Sequence, residues 1–335
     1  MDSVAFIQNS RYAFHMLDET GVLALLDLPR IGPKTVMRLV ESKVSFDDRL
    51  SFVSFVTKEL PSLIKYSPPE ICEIEDAWQA AEKIVFQAQE RGILCLSICN
   101  PRYPNRLRNI PDPAPVLFIM GNRESLDAPC VAVIGTRTPS SYGARCAERI
   151  AKRLAQGGIT VVSGLAEGCD TEGHKGALHG RGRTVAVLAH GFGQIYPASN
   201  RSLANEILEN GGCWVSEYAP GVPASRSSFV QRDRLQSGLS DIVIVIETDE
   251  KGGTMHTVEF AVKQKRGLFA VNHPLEKQEH PKTRGNQLLL RQGKASPLST
   301  AGDIEALIRS FVSQGSYETS VFISHSSGEL PFDEI

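Results

Sequence analysis

Val131–Gly143 reads VAVIGTRTPSSYG: apolar β-formers run straight into Gly135, Thr136 and Arg137, and the helical stretch ARCAERIAKRLAQ follows. A strand that turns through glycine into a helix is the unit from which parallel sheets are built. The same pattern recurs downstream. Strand candidates are ITVVSG (159–164), TVAVLA (184–189), GCWVSE (212–217), DIVIVIE (241–247) and GLFAV (267–271), with helical stretches TEGHKGALHG and NRSLANEILENG among them. Near-continuous Val/Ile/Leu strands joined by helical crossovers predict an α/β fold: a Rossmann-like doubly wound, mostly parallel sheet with both faces covered.

Outside that core the patterning changes. HMLDETGVLALLDLPRIGPKTVMRLVESK (15–43) predicts two helices joined by a tight turn, with Val36, Leu39 and Val40 on one face and Gly32-Pro33 at the second helix start. It resembles the helix-hairpin-helix motif of DNA-binding proteins, with Arg30 where that motif has its first glycine. A helical packing module fits the same residues. EIEDAWQAAEKIVFQAQER (73–91) reads as an amphipathic helix closed by Gly92, followed by the strands ILCLSI and VLFIM. The proline-rich segment between those strands is expected to be an extended connector without helix. The domains are therefore expected at 1–70 (helical, helix-hairpin-helix or SAM-like), 71–126 (helix, strand and connector extending the core), 127–312 (Rossmann-like) and 313–335 (a flexible tail).

Composition narrows the function. The 335 residues carry a formal net charge of −2, so phosphate binding has to come from a local patch and not a global basic field. No apolar run approaches the ~18 residues of a membrane helix, and MDSVAFIQNSRYAF has no basic region ahead of a long apolar block, so a cytoplasmic protein is expected. The seven cysteines are scattered without CxxC spacing and read as buried free thiols, with no metal site.

In open α/β sheets the ligand sits beyond the carboxyl ends of the strands. Those ends carry Gly135, Thr136 and Arg137; Ser163 to Gly168; His190 to Gly193 and then YPASN (196–200); Ser216 and Glu217, leading to SRSSFVQRDRLQSGLS (225–240); and Glu247 and Thr248, then KGGTMHT (251–257). Small residues let a phosphate approach the backbone, hydroxyls and amides donate to it, and arginines pair with it. Arg226, Arg232 and Arg234 lie within nine residues around Phe229, which suits single-stranded nucleic acid: phosphates for the guanidiniums, a base for the ring. Structural pairing of Arg232 or Arg234 with Asp233, Asp241 or Glu217 fits the same residues. The GxGxxG dinucleotide fingerprint is missing and no acid closes the second strand, so no nicotinamide cofactor is expected.

Eight stretches keep one order from about 94 to 305: NPRYPNRLRNIPDPAPVLFIMGN, VAVIGTR, VVSGLAEGCDTEGHKGAL, TVAVLAHGFGQIYPASN, SEYAPG, SFVQRDRLQSGLS, GGTMHTVEFAVKQKR and GNQLLLRQG. Together they resemble the DNA-processing protein A (DprA, also called Smf) family. The resemblance implies a non-catalytic, cofactor-free protein that binds single-stranded DNA, forms a homodimer and loads the RecA recombinase during natural transformation. It implies DNA contacts by Arg137 and Arg226, with Ser163, Gly164, Arg232 and Arg234 in the same pocket. With the rim residues Gly135, Thr136, Phe229, Gly252, Gly253 and Thr254 these make the candidate phosphate-binding set. The apolar run Leu288–Leu290 is the candidate dimer surface.

Three departures accompany the resemblance. The family's R-N-R is R-D-R here, placing the Asp233 carboxylate where an amide is expected. Gly252–Thr257 with Glu259 leans toward nucleotide-binding phosphoribohydrolases, whose loop ends in a catalytic glutamate; a nucleotide-hydrolysing enzyme using Glu259 is the alternative reading. The residues after Ile304 are too few for the winged helix with which many members end.

Overall fold

A computed structural model describes residues 17–313. Helices α1 (Glu19–Asp27) and α2 (Pro33–Glu41) form the expected hairpin, with Arg30 at φ 62° in the turn and Gly32-Pro33 opening α2. α3 (Arg49–Ser54), a π-helical turn and α4 (Leu60–Ile64) follow, and then α5 (Ile71–Glu90). Phe46, Phe52, Phe55 and Trp78 interlock beneath this module, with the Phe52 and Trp78 ring centroids 5.2 Å apart. The module is tied to the sheet by polar bonds as well: Ser97 Oγ donates to the Leu17 carbonyl at 2.9 Å, and Asn100 Nδ2 donates to Glu19 at 2.7 Å.

The strands are β1 (Ile93–Ser97), β2 (Val116–Gly121), β3 (Cys130–Ile134), β4 (Thr160–Ser163), β5 (Thr184–Val187), β6 (Cys213–Ser216), β7 (Ile242–Val245), β8 (Gly267–Val271) and β9 (Ser296–Leu298). They form one sheet in the order β1-β2-β6-β5-β4-β3-β7-β8-β9. β1 and β2 are antiparallel and join at β6, which makes the segment around the connector part of the sheet; the remaining strands are parallel. The chain winds outward from β3 to β6, then returns to place β7 on the other side of β3. The loops after these two strands diverge and open a crevice between them.

Alternation along buried strands divides the core. Val131 and Val133 of β3 with Ile242 and Ile244 of β7 face α7 (Ser141–Gln156), α8 (Cys169–His179) and α13 (Ala301–Ser313). Ala132, Ile134, Val243 and Val245 point the opposite way. There they meet α10 (Arg226–Leu239), α11 (Thr254–Lys263) and α12 (Arg284–Arg291), whereas α9 (Arg201–Glu209) packs beside the N-terminal module.

The structure refines several expectations. The connector contains a single helical turn, α6 (Asn105–Arg108), because Pro104 caps it: the missing amide hydrogen costs nothing at that position, and the Pro104 carbonyl accepts the Leu107 and Arg108 amides. Residues 225–240, to which the end of β6 leads, are mostly α10. Leu289 is 1% exposed and Leu290 packs against the same core, whereas Leu288 is half-buried. Cys72 is exposed, unlike the buried thiols Cys130, Cys146, Cys169 and Cys213.

Phe52 is fully buried at the centre of the aromatic cluster. Its replacement by alanine should lower stability by about 3–5 kcal/mol, read from a shifted urea midpoint.

Candidate nucleic-acid interface

A cleft of about 440 Å³ opens at the β3/β7 crevice. Gly135, Thr136 and Arg137 line it from beyond β3, Ala166 and Asp170 from beyond β4, and Thr248 and Asp249 from beyond β7. α10 contributes Phe229, Arg232, Asp233 and Gln236, and the start of α11 adds Gly252, Gly253, Thr254 and His256. None of the lining residues belongs to the N-terminal module.

The α10 set is a helical face, because residues three, four and seven apart share one side of a helix. Ser225 caps α10 through a reciprocal box with Ser228, fixing where the helix begins and thus which face looks into the cleft. Arg226 lies about two turns above Asp233 on that side. It is exposed and is not among the residues that line the cleft.

The three arginines of this segment have different fates. The Arg234 guanidinium, 4% exposed, grips Glu217 with both terminal nitrogens at 3.1 and 2.5 Å, and so belongs to the framework and not to the cleft. Arg232 is 5% exposed, with Nη1 3.8 Å from Asp170 Oδ2 and Nε 3.4 Å from Asp233 Oδ1. These are ion-pair distances without hydrogen bonds; Nε and Nη1 have no hydrogen-bond partner among the described residues. Arg226 remains in solvent.

Arg137 is also exposed, and its guanidinium carbon sits 5.3 Å from the centroid of Phe229. The other neighbour of Phe229 is Tyr196, with ring centroids 5.5 Å apart. Cation, ring and ring therefore form a row across the lip of the cleft.

The loop after β4 serves the cleft from behind. Ser163 Oγ donates to the Val133 carbonyl at 2.7 Å, and the amides of Gly164 and Ala166 donate to Asp170 Oδ2 at 3.1 and 3.3 Å. The donors expected to meet phosphate at Ser163 and Gly164 are thus already engaged. Gly164 is glycine for space, since a Cβ there would stand 1.1 Å from Arg232 Nη1. Gly168, at φ 79°, lets this loop close on the carbonyls of Thr136 and Arg137, each 2.5 Å from where its Cβ would be. The Thr136 amide is likewise engaged, donating to the Glu247 carbonyl at 2.8 Å. Below it, Ser140 donates from its amide (2.7 Å) and hydroxyl (2.5 Å) to the buried Glu247 carboxylate, holding the Arg137 loop onto β7.

The cleft is consequently mixed in charge, with Arg137 and Arg232 facing Asp170, Asp233 and Asp249. Asp233 both pairs with an arginine and lines the cleft; burial pushes its carboxyl up to about 6, against the opposing pull of Arg232. Burial raises Asp170 as well, with Arg232 and the loop amides resisting. Glu259 is exposed on α11 and is not among the residues that line the cleft. Tyr196, Asp170, Gln236 and His256 were not singled out by the sequence, although YPASN had placed the tyrosine segment at the rim.

The sequence profile of the family described as DNA recombination-mediator protein A matches residues 94–309. The chain is 34% identical to the DNA processing protein DprA of Bacillus subtilis over 233 residues, covering 69% of this chain and 77% of that one. It is 38% identical to protein Smf of Synechocystis over 195 residues, 57% of this chain, and spans about half of that relative (49%). A solved structure of DNA processing protein A from Helicobacter pylori, described for its single-stranded DNA binding mode, superposes with a TM-score of 0.58 at 30% identity, covering 66% of this chain and 96% of that one.

An acid whose folded pKa is raised favours the protonated native state, so its stabilising contribution is present below the unfolded value near 4 and lost as pH rises through about 6. Asp233→Asn should therefore gain stability over the parent at pH 8 relative to pH 4, by at most about 3 kcal/mol. Urea titrations at pH 4, 6 and 8 check this; a gap independent of pH contradicts it.

Proposed function

The chain belongs to the DNA recombination-mediator protein A family, and we propose that it binds single-stranded DNA along the lip of the β3/β7 cleft and loads the RecA recombinase onto that strand. The observation that carries the reading is the row at the lip. Arg137, unpaired by any carboxylate among the described residues, lies over Phe229, and Phe229 is one helical turn from the equally exposed Arg226. Two solvent-facing guanidiniums beside an aromatic ring match a flexible chain of phosphates and bases. Gly252, Gly253 and Thr254 supply the opposite wall, where the start of α11 directs the positive end of its helix dipole into the cleft.

Gly135 and Thr136 shape the wall that carries Arg137, and Ser163, Gly164 and Arg234 support the frame. Arg232 lies deeper, with two donors still to satisfy. Contacts of this kind are to phosphates and ring faces, so binding is independent of sequence. The proposed protein works in the cytoplasm as a homodimer, without a cofactor and without catalysing a reaction. Among its described residues no helix is long and apolar enough to cross a membrane.

Salt-titrated binding to an oligonucleotide tests the reading. With three to four phosphates neutralised, log affinity against log salt should fall with a slope of roughly −2 to −3. Arg137→Ala and Arg226→Ala should each weaken binding and flatten that slope by about 0.7 with melting temperature unchanged. Arg234→Gln should instead destabilise the fold by up to about 3–5 kcal/mol, because it leaves the Glu217 side chain, only 13% exposed, without its charged partner. A flat salt dependence, or nucleotide base release by the purified protein, overturns the proposal.

A further inference from the structure

Tyr196 is 53% exposed, an unusual position for an aromatic ring that is nonetheless held in place. Its inner neighbour is Phe229, 5.5 Å away at an interplanar angle of 57°. Its amide donates to Nε2 of the buried His190 at 3.3 Å. The rest of its loop is moored to the loop after β4: Ser199 Oγ donates to Glu167 at 2.9 Å, and Asn200 Nδ2 donates to the Leu165 carbonyl at 2.8 Å and to Thr171 Oγ1 at 2.9 Å. Arg137, Gly164, Glu167, Tyr196 and Phe229 border a dent of about 40 Å³ that adjoins the main cleft through Arg137 and Phe229 and is too small to engulf a base. What remains available is a flat aromatic face, open to solvent and immobilised from behind.

We propose that the exposed face of Tyr196 is a stacking platform for one nucleobase of the strand whose phosphates Arg137 and Arg226 hold. This rests on the single-stranded DNA reading and adds to it a base subsite outside the cleft. A ring already fixed by packing and by its anchored loop gives up little conformational freedom when a base lies on it. Every base has such a face, so the subsite adds affinity without reading sequence, and purines gain more than pyrimidines through their larger overlap. The hydroxyl plays no part in stacking, so phenylalanine should substitute.

The experiment compares the full chain with Tyr196→Phe and Tyr196→Leu, using a fluorescent deoxyadenosine oligonucleotide and an abasic deoxyribose-phosphate strand of equal length. Tyr196→Leu should weaken binding of the base-bearing strand roughly five- to hundredfold, leave its salt slope unchanged and leave the abasic strand's affinity unchanged. Tyr196→Phe should stay within about twofold of the parent. As a second readout, 2-aminopurine in the strand should be quenched by the parent and by Tyr196→Phe but not by Tyr196→Leu, with equal melting temperatures for all three. Equal losses on both strands, or no loss on the base-bearing strand while the parent binds it with its normal salt slope, overturn the platform alone. If the parent binds neither strand, the single-stranded DNA reading itself falls.

Discussion

A guanidinium buried in a protein interior cannot stand alone, and the cleft is built around that constraint at Arg232. An uncompensated charge removed from water costs several kcal/mol or more, so carboxylates have to approach it from the surrounding elements. Asp233 does so from the same helix and Asp170 from the first turn of α8, fixing how α10 lies across the sheet. Asp170 also accepts the amides of Gly164 and Ala166, so the loop after β4 is folded by the carboxylate that offsets the arginine. The floor of the site is therefore organised by charge, whereas the sheet below it is organised by Val and Ile.

That division gives floor and lip different characters. The floor brings two carboxylates to one guanidinium and offers little net attraction to a compact anion. The lip carries Arg137, which forms no ion pair among the described residues although Asp233 feels its charge, and, one helical turn from Phe229, the exposed Arg226. In the proposed reading a long strand draws its binding energy from the lip, spreading successive phosphates over separated cations. Asp233 sets the contrast: with an amide at that position the floor would keep more of Arg232's charge.

The parts legible in the sequence are those that hydrophobic pattern encodes. β3 (CVAVI) and β7 (IVIV) are fully buried apolar runs, and the loops after them follow as the rim. α10 eluded the pattern because Ser228, Arg232, Arg234, Gln236 and Ser237 are among its buried residues, and a helix that buries polar side chains has no apolar stripe. For the same reason nothing in R-D-R distinguishes an arginine bound to Glu217 from one facing solvent; their separation of 17 positions is closed only by the fold. Tyr196 was equally silent, since an exposed aromatic next to a proline has no periodicity to betray it. The attachment of β1 and β2 to β6 depends on strand order, which local sequence does not carry.

The far strand of the sheet shows how such an assembly stays finite. β9 is only three residues long, and its middle residue, Pro297, sits opposite Ala270. Proline brings no amide hydrogen, so the outward side of this strand presents an incomplete template for another polypeptide to extend. Protection against runaway strand addition is thus built into a single imino acid at the terminus of the array, far from the chemistry at its centre.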